Sequence, residues 1–584
     1  MLEQFPIAVR SADHRRRLSP LAEMTVTSLL VLVGLAGWTT ANADEPMFSN
    51  PILRGGYPDP SICRVDDDFY IVNSSFEYFP GLPIHHSTDL VNWKLVGYGL
   101  HRLEQVSDAV NLSDVQTKGG IHAPTLRCRD SRFYIITTNV YLPDGPNQET
   151  EFVNFVVTAD SPEGPWSEPL VLEGAPGIDP DIFFDDDGRV WYVGTHSPKE
   201  PNFPGEGEIW LQEIDIGNWE LVGERHFLWR GACGGIWSEG PHMYKKDGRY
   251  YLLIAEGGTS FNHAVMIAVS DDIRGPYTPN PRNPVLTSRH LSYDNWINST
   301  GHADMVELSD GRWYMVALGI RNELERTSNM GRETNLIPMT WEREPFEWKE
   351  PKHLWPVAAP ATGRVEQLNS LPFAATEQAL TREFVDHFGA RRLGLDWNFR
   401  RTPLADSYSL TERPGFLRLR ALPETIQERG RTSRVGVRQQ ETEFRFSTRM
   451  LFAPTSNGSE AGLNLFQKDN QYLSFTVIRE RDEYYLKLVL AQAGEDPVTI
   501  RRTPLHDFNG AITLQARASK DQYRFAYAIG ADSQDFAATA GNHLLARDNY
   551  TGAYLGLYAT ANGARTSDYA DFDWARQVYA SDDR

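Results

Sequence analysis

The sequence predicts an all-β protein in which a five-bladed β-propeller is followed by an antiparallel β-sandwich. Two observations carry this prediction. The first is a five-fold repeat of strand-like runs before about residue 350, and the second is an alternation of apolar and polar residues after about residue 384. A chain of 584 residues is also too long for one hydrophobic core, which favours two or three domains.

The repeat consists of five short runs that each hold a tyrosine among aromatic and aliphatic residues. Successive tyrosines are 64, 58, 59 and 63 residues apart, and most runs follow a turn rich in Asp and Gly. Units of about 60 residues with several strands are typical of propeller blades, whereas the repeats of a solenoid, the alternative, are usually shorter. The tyrosines are Tyr70, Tyr134, Tyr192, Tyr251 and Tyr314, and the aromatic markers between them are Trp93, Trp166, Trp219, Tyr277 and Trp348.

A carboxylate or a histidine stands 11 to 13 residues before each of these tyrosines. A propeller places equivalent residues of its blades around one axis, so we expect the five side chains to meet at the mouth of the central channel. Any one of them alone would be unremarkable as a turn acid or a capping histidine. Together the carboxylates would raise one another's pKa, which indicates an active site rather than a structural feature. The five are Asp59, His122, Asp179, Glu239 and His302.

Three carboxylates around one channel suit glycoside hydrolysis. That reaction needs a protonated acid for the leaving oxygen and an ionised carboxylate opposite it, at about 6.5–9.5 Å for inversion or about 5–5.5 Å for retention. A third carboxylate can keep the pKa of the acid high and orient it. The sequence alone leaves the spacing open.

Several long motifs resemble glycoside hydrolase family 43, in its β-xylosidase and α-L-arabinofuranosidase branch. They are "NPILRGGYPDPSICRVDDDFYIVNSSFEYFPG", "GIDPDIFFDDDG", "SEGPHMYKKDG", "AEGGTSFNHAV", "STGHADMVE" and "MGRETNLIPMTW", in the order of the family. The match runs from about Asn50 to Pro372, with a weaker one beyond it. The resemblance implies a five-bladed propeller, an inverting mechanism and a C-terminal sandwich of the jelly-roll or concanavalin-like kind.

The resemblance also implies a role for each acid. Asp59 in "YPDPS" would be the general base, Glu239 in "SEGPH" the general acid, and Asp179 in "GIDPD" the group that tunes and orients the acid. The neighbouring Asp181 ranks second to Asp179, because the family motif places the functional acid before the proline. Pro58 and Pro60 would hold Asp59 still.

Four further residues are carried over to the substrate pocket. Arg332 in "MGRET" would grip the sugar, and Phe76 would form an apolar wall. His122 in "GGIHAP" stands where xylosidase relatives commonly have tryptophan, so a stacking wall is replaced by a titratable donor. His302 resembles a histidine that, in relatives, faces the pocket or a calcium ion held through water. No cofactor is required for the chemistry, and a structural Ca²⁺ in the channel rests on the resemblance alone, since calcium prefers oxygen ligands.

The two ends of the chain complete the domain prediction. Arg15, Arg16 and Arg17, the apolar run "VTSLLVLVGLAGW" and the Ala41-Asn42-Ala43 pattern predict a signal peptide, although a start at Met24 would leave it without its basic part. We expect export to the periplasm or the medium, and no membrane span afterwards. The family resemblance implies that the sandwich packs against the propeller and narrows the entrance of the pocket, and a carbohydrate-binding role for it is the weaker alternative. The predicted boundaries are 1–43 for the signal peptide, 48–355 for the propeller, 356–380 for a linker and 381–584 for the sandwich.

Composition limits the partners. The chain has 78 Asp and Glu residues and 57 Lys and Arg residues, which gives a net charge of −21. This negative charge argues against nucleic acid or an anionic membrane as a binding partner. The three cysteines, Cys63, Cys128 and Cys233, are an odd count at wide spacing, and we expect them to be small buried apolar residues.

The function predicted is an exo-acting hydrolase that releases terminal β-D-xylose, α-L-arabinofuranose or both from xylan-derived oligosaccharides. A non-catalytic sugar-binding propeller and a retaining fructan-type hydrolase are the alternatives, and the oligomeric state is left open.

Overall fold

The computed structural model describes most of the chain from Pro46 onward, and Pro46–Arg584 forms one compact unit. The predicted signal peptide at residues 1–43 and the aromatic marker Trp348 lie outside the described residues. Within the described part, no helix is long and apolar enough to cross a membrane. The described residues are 46–107, 109–232, 234–324, 326–343, 353–373, 377–380, 383–506, 508–519, 522–540 and 550–579.

The predicted five-bladed propeller is confirmed. Each blade is an antiparallel sheet whose strands follow one another in chain order, and the five tyrosines of the repeat lie on the second strand of their blades. Each ring residue stands at, beside or within the first strand, which explains its fixed distance from the tyrosine.

The strands of the blades are, in blade 1, Ser61–Val65, Asp68–Val72, Gly81–Ser87 and Lys94–Leu100; in blade 2, Gly120–Arg129, Arg132–Tyr141, Glu151–Ala159 and Leu170–Val171; in blade 3, Ile178–Phe184, Val190–His196, Glu208–Asp215 and Glu220–Trp229. Blade 4 has Glu239–Lys246, Arg249–Glu256, Ala264–Ser270 and Thr278–Pro279, with Leu286–Thr287 also paired to its third strand. Blade 5 has Ile297–Glu307, Trp313–Arg321, Arg332–Arg343 and Leu354–Ala358.

The core of the propeller is divided among the blade interfaces. Each pair of neighbouring blades shares its own apolar cluster, so five clusters surround the axis. Ile136 of blade 2, for example, packs in one cluster with Ile182 and Tyr192 of blade 3. Burying apolar side chains between the blades leaves the channel itself free for polar groups.

The segment predicted as a linker, residues 356–380, contains the end of one strand and the whole of another. The last strand of blade 5 runs to Ala358, three residues beyond the predicted propeller boundary, and Leu368–Ser370 pairs with Met47–Ser49. The Asn50 side chain joins the same closure, since its amide donates to Leu336 O at 3.0 Å. These pairings involve partners far away in sequence, which the weak strand pattern of this segment did not indicate.

The C-terminal domain is the predicted β-sandwich, with its core between two sheets. Propeller strand Tyr78–Phe79 pairs with Asn398–Arg400 and thereby extends one sheet of the sandwich. The first sheet contains, in spatial order, Val498–Pro504, Glu483–Ala491, Gln471–Glu480, Glu460–Lys468, Tyr554–Thr560, Ser433–Arg438, Asn398–Arg400 and Tyr78–Phe79. The second contains Tyr408–Ser409, Leu417–Arg420, Tyr569–Tyr579, Phe444–Phe452, Ala511–Ala518, Gln522–Ala528 and Ser533–Ala540, with Glu383–Asp386 beside Tyr569–Tyr579; a short 3-10 helix, Leu103–Gln105, lies in the propeller.

The prediction for the cysteines was wrong for two of the three. Cys63 and Cys128 form a disulfide between the first strands of blades 1 and 2, with their Cα atoms 6.1 Å apart. The residues are 65 positions apart in sequence, and only the side-by-side arrangement of adjacent blades brings them together. Cys233 lies outside the described residues.

Candidate active site

The backbone of each first strand turns a ring residue toward the channel. Asp59, Asp179 and His302 have left-handed φ angles of 49°, 55° and 45°, and in blades 2 and 4 the residue that follows the ring residue, Ala123 or Gly240, has one. The strand register shifts at the same places in blades 2 to 5. Bulges with such dihedral angles re-aim side chains and cluster beside active sites.

Asp59 is a buried carboxylate with fixed partners on both oxygens. Its Oδ1 lies 2.9 Å from Arg332 Nη1 and 4.0 Å from His302 Nδ1, and its Oδ2 accepts a hydrogen bond of 2.6 Å from the Ser74 hydroxyl. Burial alone would raise the pKa of Asp59, but the Arg332 guanidinium, His302 and the Ser74 hydroxyl outweigh it and hold this pKa below its ordinary value. Asp59 is therefore ionised at neutral pH.

Glu239 and Asp179 have the opposite electrostatic environment. Burial, followed by the charges of Asp179 and Asp59, raises the pKa of Glu239 well above its ordinary value. Burial also raises the pKa of Asp179 to about 6, although the backbone N–H of Gly240 donates to its Oδ2 at 3.1 Å. Gly240 has no room for a side chain, because a Cβ there would meet the His302 ring at 2.9 Å. Near pH 7 the site thus holds two ionised carboxylates, Asp59 and Asp179, beside the protonated Glu239.

A wall of the pocket combines both domains. The Arg332 guanidinium lies 5.2 Å from the ring centre of Phe76 and 4.9 Å from that of Tyr550, and its Nε donates to Tyr550 O at 3.2 Å. Phe76 is buried, and its ring meets the Tyr550 ring edge-on with centroids 5.6 Å apart. Tyr550 belongs to the sandwich, and the sequence analysis did not identify it. No local pattern in its own segment points to the channel of another domain.

His122 packs against Phe76, the residue predicted to form the apolar wall. Its ring meets the Phe76 ring edge-on with centroids 4.8 Å apart, and its Nε2 is 2.9 Å from Lys118 O. Burial lowers the pKa of His122 to about 4, so the imidazole is neutral at pH 7. Its one N–H then donates to the Lys118 carbonyl, and the ring contributes no charge to the site.

A second layer of polar side chains adjoins the ring and draws on all five blades. Arg127 lies at its centre, with Nη2 2.8 Å from Asp181 Oδ1 and Nη1 3.2 Å from Asp304 Oδ2. The other oxygen of Asp181 accepts the backbone N–H of Met243 at 2.8 Å. Asp181 is therefore engaged by Arg127 and by blade 4, whereas Asp179 faces the ring. The members of this layer are Ser61, Arg127, Asp181, His242 and Asp304.

The residues around His302 do not fit a directly bound metal ion. In the described part of the chain, no group of three or more His, Cys, Asp or Glu side chains could hold one. Asp59, the carboxylate beside His302, is already held by Arg332 and Ser74. A calcium ion near His302 would have to rest on water molecules, and no chemical step is assigned to one.

Comparisons with known proteins agree with this geometry. Residues 48–345 match the model of glycosyl hydrolases family 43, and residues 385–577 match the β-xylosidase C-terminal concanavalin A-like domain. A xylosidase/arabinosidase of Butyrivibrio fibrisolvens is 38% identical over 90% of this chain and 98% of its own. A non-reducing end α-L-arabinofuranosidase of Bacteroides ovatus is 35% identical over 94% and 97%. The crystal structure of a xylan β-1,4-xylosidase from Bacillus halodurans superposes with a TM-score of 0.81 at 32% identity, covering 91% of this chain and all of that one.

Proposed function

Because the chain belongs to glycosyl hydrolase family 43, we propose that it is an exo-acting hydrolase that releases terminal β-D-xylose, α-L-arabinofuranose or both from xylan-derived oligosaccharides. The observation that carries this proposal is the pair of opposite pKa shifts in one site, downward at Asp59 and upward at Glu239. A non-catalytic sugar-binding propeller would have no use for such a pair. The relatives named above act on the same two classes of pentoside.

The proposed reaction is a single displacement with inversion. Asp59 accepts a proton from a water molecule, whose oxygen attacks the anomeric carbon from one face of the sugar. The bond to the leaving oxygen breaks on the other face, and Glu239 donates its proton to that oxygen. Solvent then returns one proton to Glu239 and takes one from Asp59.

The remaining groups position the sugar. Arg332 presents a fork of donors that suits sugar hydroxyls, and Phe76 and Tyr550 exclude water from one side. Because Tyr550 comes from the sandwich, that domain helps to close the pocket, which favours cleavage at a chain end. His302, which lies 4.0 Å from Asp59, and the neutral ring of His122 complete the polar rim.

We expect Asp179→Asn to move the alkaline limb of the pH–rate profile to lower pH. The Asp179 charge is among the causes that raise the pKa of Glu239, so its removal makes ionisation of the acid easier and lowers the protonated fraction at pH 7. The measurement is kcat/KM against pH with an unactivated disaccharide. Asp181→Asn is the matched control, because Asp181 pairs with Arg127, and an alkaline limb that stays in place in Asp179→Asn would contradict the role of Asp179.

The proposed activity is tested by comparing hydrolysis of an aryl β-D-xyloside and an aryl α-L-arabinofuranoside. We expect at least one to be cleaved, and the ratio of the two kcat/KM values reports the preferred sugar. NMR early in turnover then identifies the anomer of the product, which we expect to be inverted. Cleavage of neither substrate would exclude the activity, and net retention would exclude the mechanism in favour of a retaining hydrolase.

Two expectations remain proposals. Export depends on residues 1–43, which lie outside the described residues, and it is supported by the basic and apolar pattern of that segment. A structural Ca²⁺ in the channel depends on water ligands near His302, and the chemistry proposed here does not use it.

A further inference from the structure

Trp237 is an exposed tryptophan two residues before the proposed acid Glu239. Its exposed fraction is 49%, whereas every other tryptophan in the described ranges is half-buried or buried. Leaving a large aromatic face in water forgoes the free energy that burial would provide. The exposure therefore leaves this face available to a ligand.

The backbone and two loops hold the Trp237 ring in place. The backbone N–H of Trp237 donates to Gly205 O at 2.6 Å, and the preceding carbonyl, Ile236 O, accepts from the backbone N–H of Gly257 at 2.8 Å. The ring packs against Gly258. A Cβ at this position would overlap the ring, so only glycine allows the ring to lie there. Trp237 itself has a left-handed φ of 52°. The exposed face belongs to a fixed side chain rather than to a mobile one.

The same loop connects Trp237 to the pocket. Thr259 follows Gly258, and its Oγ1 is 3.1 Å from Arg332 Nη1, the nitrogen that lies 2.9 Å from Asp59. The Trp237 ring therefore packs against the residue that precedes Thr259, and Thr259 contacts Arg332. Trp237 also lies two residues before the start of the strand that begins with Glu239. In the proposed reaction Glu239 serves the leaving oxygen, so a surface beside it faces the leaving sugar.

We propose that Trp237 is the platform on which the leaving xylose unit stacks while Glu239 protonates its oxygen. The occupant is a pyranose ring, whose C–H face packs against an aromatic face while its hydroxyls stay in water. This proposal rests on the proposed function and deepens it. It assigns Trp237 to the binding of the leaving xylose unit. The terminal pentose, whose anomeric carbon is attacked, binds elsewhere.

The test compares two substrates that differ only in the leaving group. One is the disaccharide in which the pentose preferred by the wild type is linked to xylose, and the other is the fluoride of the same pentose, whose leaving group has no ring. We expect Trp237→Ala to lower kcat/KM for the disaccharide about tenfold and to leave the fluoride within about twofold, since only the disaccharide can stack. Trp237→Phe should restore most of the disaccharide rate because it keeps an aromatic face.

Tyr569→Ala is the matched control, since Tyr569 is a 40% exposed aromatic residue on the second sheet of the sandwich and should affect neither substrate. An unchanged disaccharide rate in Trp237→Ala, or an equal fall for both substrates, overturns the proposal, while the wild-type rates still support the proposed function. If the wild type hydrolyses neither substrate, the proposed function fails and this proposal fails with it.

Discussion

Glu239→Gln is expected to lower kcat for an unactivated pentose disaccharide by about 10²–10⁴-fold, the range typical for loss of a general acid. The amide cannot donate a proton to the leaving oxygen, which then departs as a poorly stabilised alkoxide. Burial, followed by the charges of Asp179 and Asp59, raises the pKa of the wild-type Glu239 and keeps it protonated at neutral pH, so the whole contribution of the acid is lost in the variant. The measurement is kcat at pH 7 with the disaccharide.

The leaving group provides an internal control for this prediction. A pentosyl fluoride or a dinitrophenyl pentoside needs little protonation, so Glu239→Gln should hydrolyse these substrates at nearly the wild-type rate. Glu307→Gln, at the exposed end of the first strand of blade 5, should leave every substrate unaffected. An equal loss for good and poor leaving groups, or intact disaccharide hydrolysis, would falsify the assignment of Glu239.

Asp59→Asn is expected to lower kcat by about 10²–10⁴-fold for every substrate, whatever its leaving group. The attacking water must lose its proton in each case, and an amide does not accept it. With a pKa below its ordinary value, the wild-type Asp59 is ionised across the neutral and mildly acidic range, so we also expect the variant to lose the acid limb of the pH profile. Steady-state rates with a pentosyl fluoride and a disaccharide between pH 3 and pH 8 check both points.

Stability must be measured with the same variant. Asp59→Asn leaves the buried Arg332 without its carboxylate partner, and breaking one side of a buried pair typically costs about 3–5 kcal/mol. A thermal unfolding measurement therefore gives the fraction of the variant that is folded, and the rates are calculated per folded molecule. Ser74→Ala removes one hydrogen bond to Asp59 but keeps the base, so it should retain most of the activity. A folded Asp59→Asn protein that still hydrolyses the fluoride at the wild-type rate would place the base elsewhere.

The sequence was informative about the ring because the signals are local. Tyrosine runs, turn residues and the acids before them recur at one spacing, and each depends on neighbouring backbone preferences. Asp179 and Asp181 show the limit of that information. They are two residues apart around one proline, and only the position of Arg127, on another blade, places Asp181 in the second layer.

The residues that the sequence analysis missed have partners far away in the chain. Tyr550 reaches Arg332 and Phe76 from the sandwich, Cys63 meets Cys128 across a blade interface, and the exposure of Trp237 depends on the loop at Gly258. No periodic pattern in the sequence around Tyr550, Cys63 or Trp237 indicates which distant residue it contacts.

By itself, therefore, the sequence determined the five blades, the sandwich and the acids and histidines that recur before the tyrosines, since hydrophobic periodicity and turn chemistry act between close neighbours. The tertiary structure alone decided which of those groups is ionised and which is protonated. The pKa values of Asp59 and Glu239 depend on burial and on charges from other blades, and these exist only once the propeller has closed.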